Sequence, residues 1–140
     1  MTVYCDTSVI VSVVVLDPHS DIAIAWLRCA QEPVIVSDLA ALEFSAVVSR
    51  GLRTRRFALE EAAEALADFD RLREQCRRQS HGPEDFAVAD SLIRDFSTKL
   101  AAADALHLAA AKNAGAVLAT FDARLTEAAR SRGVQVATIG

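Results

Sequence analysis

The chain has 140 residues, 52% of them hydrophobic and 24% charged, with a formal net charge of −4. That balance excludes a disordered segment and suffices to bury one core, so residues 1–140 are predicted to form a single domain. Three cysteines, Cys5, Cys29 and Cys76, lack any paired spacing, which excludes a disulfide framework and a zinc knuckle and points to a reducing cytoplasm.

Near the N-terminus, Val3 to Cys5 reads as a short buried strand, and a helix is expected from about Ser8. The apolar run Val9 to Leu16 has Asp6 in front of it and no Lys or Arg before it. It fits neither a signal peptide nor a span, which takes about 20 residues, so the chain reads as soluble and intact, with no membrane partner. Ser20 is expected to cap a second helix with Ile22, Ala25, Trp26 and Cys29 on one face, ending before Pro33. Val34 to Val36 is a second strand. Ser37 should cap a helix that stops near Gly51.

A long amphipathic helix is predicted from about Leu59 to Arg78, with Leu59, Ala62, Leu66, Phe69, Leu72 and Cys76 as its apolar stripe. Gly82–Pro83 breaks the chain. Helices follow over about Glu84 to Phe96, and on to about Asn113 before Gly115. Ala116 to Ala119 is a buried strand, Asp122 to Ser131 a helix, and Val134 to Ile139 the last strand. Short, continuously apolar strands alternating with helices specify an α/β fold, a three-layer α/β/α sandwich around a central, mostly parallel sheet. Such sheets carry their sites beyond the carboxyl ends of the strands, where Asp6 and Asp122 both fall.

Four acids stand out. Asp6 and Asp122 sit at strand-to-helix junctions, where each serves as a helix N-cap or as a metal ligand. Glu43 lies between Leu39 and Val47 in helical spacing, and Asp104 between Leu100 and Leu108. A carboxylate inside an apolar stripe is costly to bury unless it is paired or bound to metal. The alternatives are a solvated helix edge or a buried salt bridge. Asp90, by contrast, has Arg94 four residues on and reads as a surface ion pair. Two like charges 4 Å apart repel by about 4 kcal/mol at an effective dielectric of 20, so four converging acids call for divalent cations. All-oxygen ligands favour Mg²⁺ or Mn²⁺ over zinc.

Asp6–Thr7–Ser8, the acid in Leu42–Glu43–Phe44, the run from Asp104 through Ala105, Leu106, His107 and Leu108, and the run Thr120 to Leu125 together resemble the PIN-domain family, in matching order over essentially the whole chain. Within it the chain is most similar to VapC-type toxins of bacterial toxin–antitoxin pairs. The resemblance implies a PIN-like fold and Mg²⁺- or Mn²⁺-dependent endoribonuclease activity. It implies Asp6, Glu43, Asp104 and Asp122 as the catalytic metal ligands, with Thr7, Ser8 and Thr120 in support. It also implies an RNA substrate, a VapB-like antitoxin and a homodimer in the cytoplasm. The net charge of −4 is unusual for an enzyme of nucleic acids, which normally shows a basic footprint; bound cations offset it locally.

His107 lies one turn after Asp104, within reach of the site, and reads first as a core histidine donating to a backbone group. Arg50, Arg53, Arg55 and Arg56 form one basic run, and Arg71, Arg73, Arg77 and Arg78 a second along the long helix. Each is a solvated face or a set of phosphate contacts. Two rival functions are a catalytically silent PIN-like module that binds RNA or protein, and a phosphotransfer domain with Asp6 as nucleophile. Haloacid-dehalogenase-type enzymes want a second Asp two residues after the first, where this chain has Ser8.

Overall fold

A computed structural model describes residues 1–140. Its elements, in chain order, are β1 (Val3–Cys5), α1 (Thr7–Val14), α2 (Ser20–Cys29), β2 (Val34–Ser37), α3 (Asp38–Arg53), α4 (Leu59–Glu74), β3 (Arg77–Gln79), α5 (Pro83–Arg94), α6 (Ala102–Asn113), β4 (Val117–Ala119) and α7 (Ala123–Ser131). The strands form one four-stranded sheet in the order β3-β2-β1-β4. Every pairing is parallel, with Val3 beside both Val34 and Val117, and Ile35 beside Arg77.

Alternation along the strands divides the interior into two cores. Tyr4, Ile35 and Leu118 face one way, against Leu92, Leu108, Leu125 and the alanines of α6 and α7. Val3, Cys5, Val36 and Val117 face the other, against Val9, Ile10, Phe44 and Phe69 of α1, α3 and α4. The result is the expected three-layer α/β/α sandwich. Phe44 and Phe69 stack with centroids 4.4 Å apart and tie α3 to α4; burial of one such ring contributes on the order of 2 kcal/mol. No helix is long and apolar enough to cross a membrane.

Several boundaries differ from expectation for identifiable reasons. The stretch predicted as one helix to Arg78 ends at Glu74, and Arg77–Gln79 becomes the edge strand β3. An exposed charged edge strand has no apolar signature, and charge on an edge protects it against unwanted pairing. The second arginine run is therefore not one helical face: Arg71 pairs with Asp68, Arg73 with Asp38, and Arg77 and Arg78 stand on β3. In α4, Leu59 and Leu66 face solvent, while Ala62 and Phe69 carry the burial.

Gly51 does not stop α3, which runs on to Arg53. It lies inside the helix, where a Cβ would overlap the ring of Phe57, so only glycine fits there. Ser20 begins α2 without capping it. Its hydroxyl turns inward, accepting from Asp17 N at 2.8 Å and donating to Val15 O at 3.2 Å. The buried face of α2 is Ser20 and Ala23 with Trp26 packed beside them, whereas Ile22, Ala25 and Cys29 point outward. Beyond α7 the predicted last strand shrinks to a single parallel bridge between Leu118 and Val136. The parallel register places the carboxyl ends of β1, β2 and β4 on one rim, followed directly by Asp6, α3 and Thr120.

Candidate active site

Asp6 leaves β1 as the N-cap of α1. It is 3% exposed. Its Oδ1 accepts from Ser8 Oγ at 2.6 Å and from Val9 N at 3.4 Å, and its Oδ2 accepts from Thr120 Oγ1 at 2.6 Å. Burial pushes the Asp6 carboxyl above its ordinary range, and the bonds from Ser8 and Thr120 pull it part of the way back.

The same hydroxyls lock the loop after β4. Phe121 N donates to Ser8 Oγ at 3.0 Å, and Asp122 N to Thr120 Oγ1 at 3.0 Å. Asp122 then caps α7 by accepting from Leu125 N at 2.9 Å on Oδ1. Its Oδ2 has no protein partner among these bonds.

Glu43 sits in the second turn of α3, and its carboxylate is about one-third exposed. Oε1 accepts from Thr7 Oγ1 at 2.8 Å and lies 2.5 Å from His107 Nε2. Burial pulls its pKa upward, but the bonds from His107 and Thr7, with the charge of His107, outweigh burial and hold Glu43 below the usual carboxylate range. His107 is 1% exposed. Its other nitrogen, Nδ1, is 2.7 Å from the hydroxyl of Tyr4, which is itself 2.9 Å from Ser37 Oγ.

His107 therefore meets three side chains, Glu43, Tyr4 and, at 3.3 Å, Thr7, and no backbone group. That correction lay beyond the sequence, because its partners are 64 to 103 residues away. The only forewarning was its position one turn after Asp104.

Asp104, in the first turn of α6, is half-buried and makes neither a side-chain hydrogen bond nor an ion pair within the protein. Burial raises its pKa most, followed by the charge of Asp122; His107 acts the other way, and Asp6 and Glu43 add to the rise. Asp6, Glu43 and Asp122 thus each lie within electrostatic reach of Asp104, and no Lys or Arg pairs with any of the four. They do not close into a preformed cage: no three His, Cys, Asp or Glu side chains stand grouped as a metal site.

The remaining residues lie elsewhere. Asp90 is exposed and bonds Arg94 at 2.8 Å, as its spacing foretold. Arg50, Arg53, Arg55 and Arg56 are all exposed at the far end of α3 and in the loop beyond. Ten residues of helix, about 15 Å, separate Arg53 from Glu43.

The chain as a whole has known relatives. The PIN domain family matches residues 3–131. The ribonuclease VapC46 of Mycobacterium tuberculosis is 32% identical over 138 residues, covering 96% of this chain and 95% of the relative. Among solved structures, VapBC2 from Rickettsia felis, bound to a DNA fragment from its promoter, superposes with a TM-score of 0.76 at 14% identity over all of both chains. VapC20 of Mycobacterium tuberculosis, a toxin that cleaves the sarcin–ricin loop, superposes with a TM-score of 0.73 at 20% identity, covering 90% of this chain and 94% of the other. The chain belongs to the PIN-domain family, in its VapC-type branch.

Proposed function

We propose that this chain is a divalent-metal-dependent endoribonuclease, the toxin of a cytoplasmic toxin–antitoxin pair. One observation carries the reading: Asp104 faces three other acids across the rim with no protein partner to neutralise it. The donor set suits a hard cation. Asp104, Oδ2 of Asp122 and Oε2 of Glu43 are free carboxylate oxygens, and no thiolate stands among them. Mg²⁺ keeps several of its waters and needs only one or two carboxylates, so an open set of acids fits it better than a closed cage would.

In this reading Asp6, Glu43, Asp104 and Asp122 hold Mg²⁺ or Mn²⁺, which when bound supplies an activated water and neutralises charge on the phosphodiester. The chain's own residues do the rest. Thr7 orients Glu43, and Ser8 and Thr120 orient Asp6, each by a hydroxyl donated to a carboxylate oxygen. The exposed arginines Arg50, Arg53, Arg55 and Arg56 contact RNA phosphates flanking the cut. Cleavage leaves a 5′-phosphate and a 3′-hydroxyl.

Restraint comes from a VapB-like antitoxin, as the kinship with VapC46 and the fold shared with VapBC2 support. The toxin forms a two-fold dimer, for which exposed Leu42 and Phe86 supply apolar surface.

The direct test is RNA cleavage by the purified protein with Mg²⁺ or Mn²⁺ and its arrest by EDTA. Full cleavage after exhaustive chelation contradicts the metal chemistry. RNA binding without cleavage under any divalent cation favours the silent binding module.

A further inference from the structure

Every hydrogen bond to Glu43 falls on one oxygen. Thr7 Oγ1 and His107 Nε2 both meet Oε1, at 2.8 and 2.5 Å, and Oε2 has no protein partner. Behind His107 runs a buried chain. Its Nδ1 is 2.7 Å from Tyr4 Oη, Tyr4 Oη is 2.9 Å from Ser37 Oγ, and Ser37 Oγ accepts Ala40 N at 3.1 Å as the cap of α3. Tyr4 and Ser37 are 0% exposed. The chain starts and ends on α3, passing through β1 and α6 on the way.

We propose that Tyr4 and His107 are positioning residues, which fix the Glu43 carboxylate so that Oε1 is bonded inside the protein and Oε2 is the oxygen offered to a divalent cation. This rests on the metal-dependent reading above.

A carboxylate only accepts, so His107 Nε2 carries a hydrogen and donates it to Glu43. A single hydrogen joins His107 Nδ1 and Tyr4 Oη over 2.7 Å. Burial holds the Tyr4 phenol well above its usual range, so it stays protonated and donates to Ser37 Oγ, which also accepts Ala40 N. His107 also stands one turn beyond Asp104 on α6, so the helix that anchors Glu43 carries the unpartnered acid as well. Partners of this kind, one bond removed from a metal, typically tune its affinity ten- to a hundredfold.

The test is Mn²⁺ titration of the metal-stripped full chain, read from the paramagnetic resonance signal of free Mn²⁺. The variants are Tyr4→Phe, His107→Gln and His107→Leu. Tyr4→Phe keeps the ring and removes only the hydroxyl, so it reports even where His107→Leu fails to fold. Expected is a Kd for Mn²⁺ about tenfold weaker in Tyr4→Phe and in His107→Leu. His107→Gln, which retains an N–H, should fall between His107→Leu and wild type. A purely structural role would lower the melting temperature in EDTA and leave Mn²⁺ affinity at the wild-type value. Wild-type affinity in both Tyr4→Phe and His107→Gln therefore overturns the positioning role alone. A wild type that takes up no Mn²⁺ overturns the metal reading beneath it.

Discussion

Thr120 Oγ1 donates to Asp6 Oδ2 at 2.6 Å across 114 residues of sequence, and the same oxygen accepts the backbone N–H of Asp122 at 3.0 Å. One hydroxyl thus fixes a buried acid at the end of β1 and the backbone of a second acid before α7. Thr120→Val keeps the shape and removes the donor, leaving Asp6 Oδ2 buried without it. Cleavage should fall about ten- to a hundredfold, and Thr120→Ser should restore most of it. Steady-state kinetics on one RNA substrate check this. Unchanged cleavage in Thr120→Val would remove Thr120 from the site.

Asp104 should work against the metal-free fold. Burial, then the charge of Asp122, holds its carboxyl above the ordinary range. A carboxyl raised in the folded state lends stability that is fully present below the ordinary carboxylate range. That contribution is lost as pH rises through the raised value. At neutral pH the ionised side chain is therefore a burden, and Asp104→Asn escapes it. In EDTA at pH 7 this variant should melt at or above the wild-type temperature, and its advantage should vanish near pH 4. Mg²⁺ should raise the wild-type melting temperature more than the variant's, because a ligand stabilises the state it binds. A variant several degrees less stable in EDTA at pH 7 would make Asp104 a structural partner instead.

The toxin reading predicts growth arrest when the chain is expressed alone and rescue by a co-expressed antitoxin with a basic tail. A cation reaching the rim from such a tail would meet Asp122 and Asp104, neither of which has a cationic partner in this chain. Asp6→Ala should abolish the arrest. Arrest that persists in Asp6→Ala, measured by colony counts after induction, would mean that the toxicity is not catalytic.

The positions of the four acids were legible in the sequence for two different reasons. Glu43 and Asp104 interrupt apolar stripes, and Asp6 and Asp122 stand where strands turn into helices. The parallel strands were legible as short apolar runs between helices. What stayed hidden was set through space. β3 is recognisable only by its partner, since Arg77 and Arg78 pair beside Ile35 and Val36 while carrying charged side chains. Gly51 looks like a helix stop until Phe57 is seen lying over it. His107 is the buried residue it reads as, but its partners are the side chains of Tyr4, Thr7 and Glu43 from β1, α1 and α3 and not a backbone group. Ser20 shows the opposite error: a good capping residue turned inward because Asp17 and Val15 offered its hydroxyl better partners.

The central claim is that Asp6, Glu43, Asp104 and Asp122 act together on one metal-dependent cleavage. It is tested most directly by comparing single alanine variants of these four with Asp90→Ala, an exposed ion-pair residue whose loss costs at most about 1 kcal/mol. With folding verified and Mg²⁺ in excess, each of the four should lower the cleavage rate by orders of magnitude, and Asp90→Ala should match the wild type. An essential Asp90 beside a dispensable Asp122 would contradict the account.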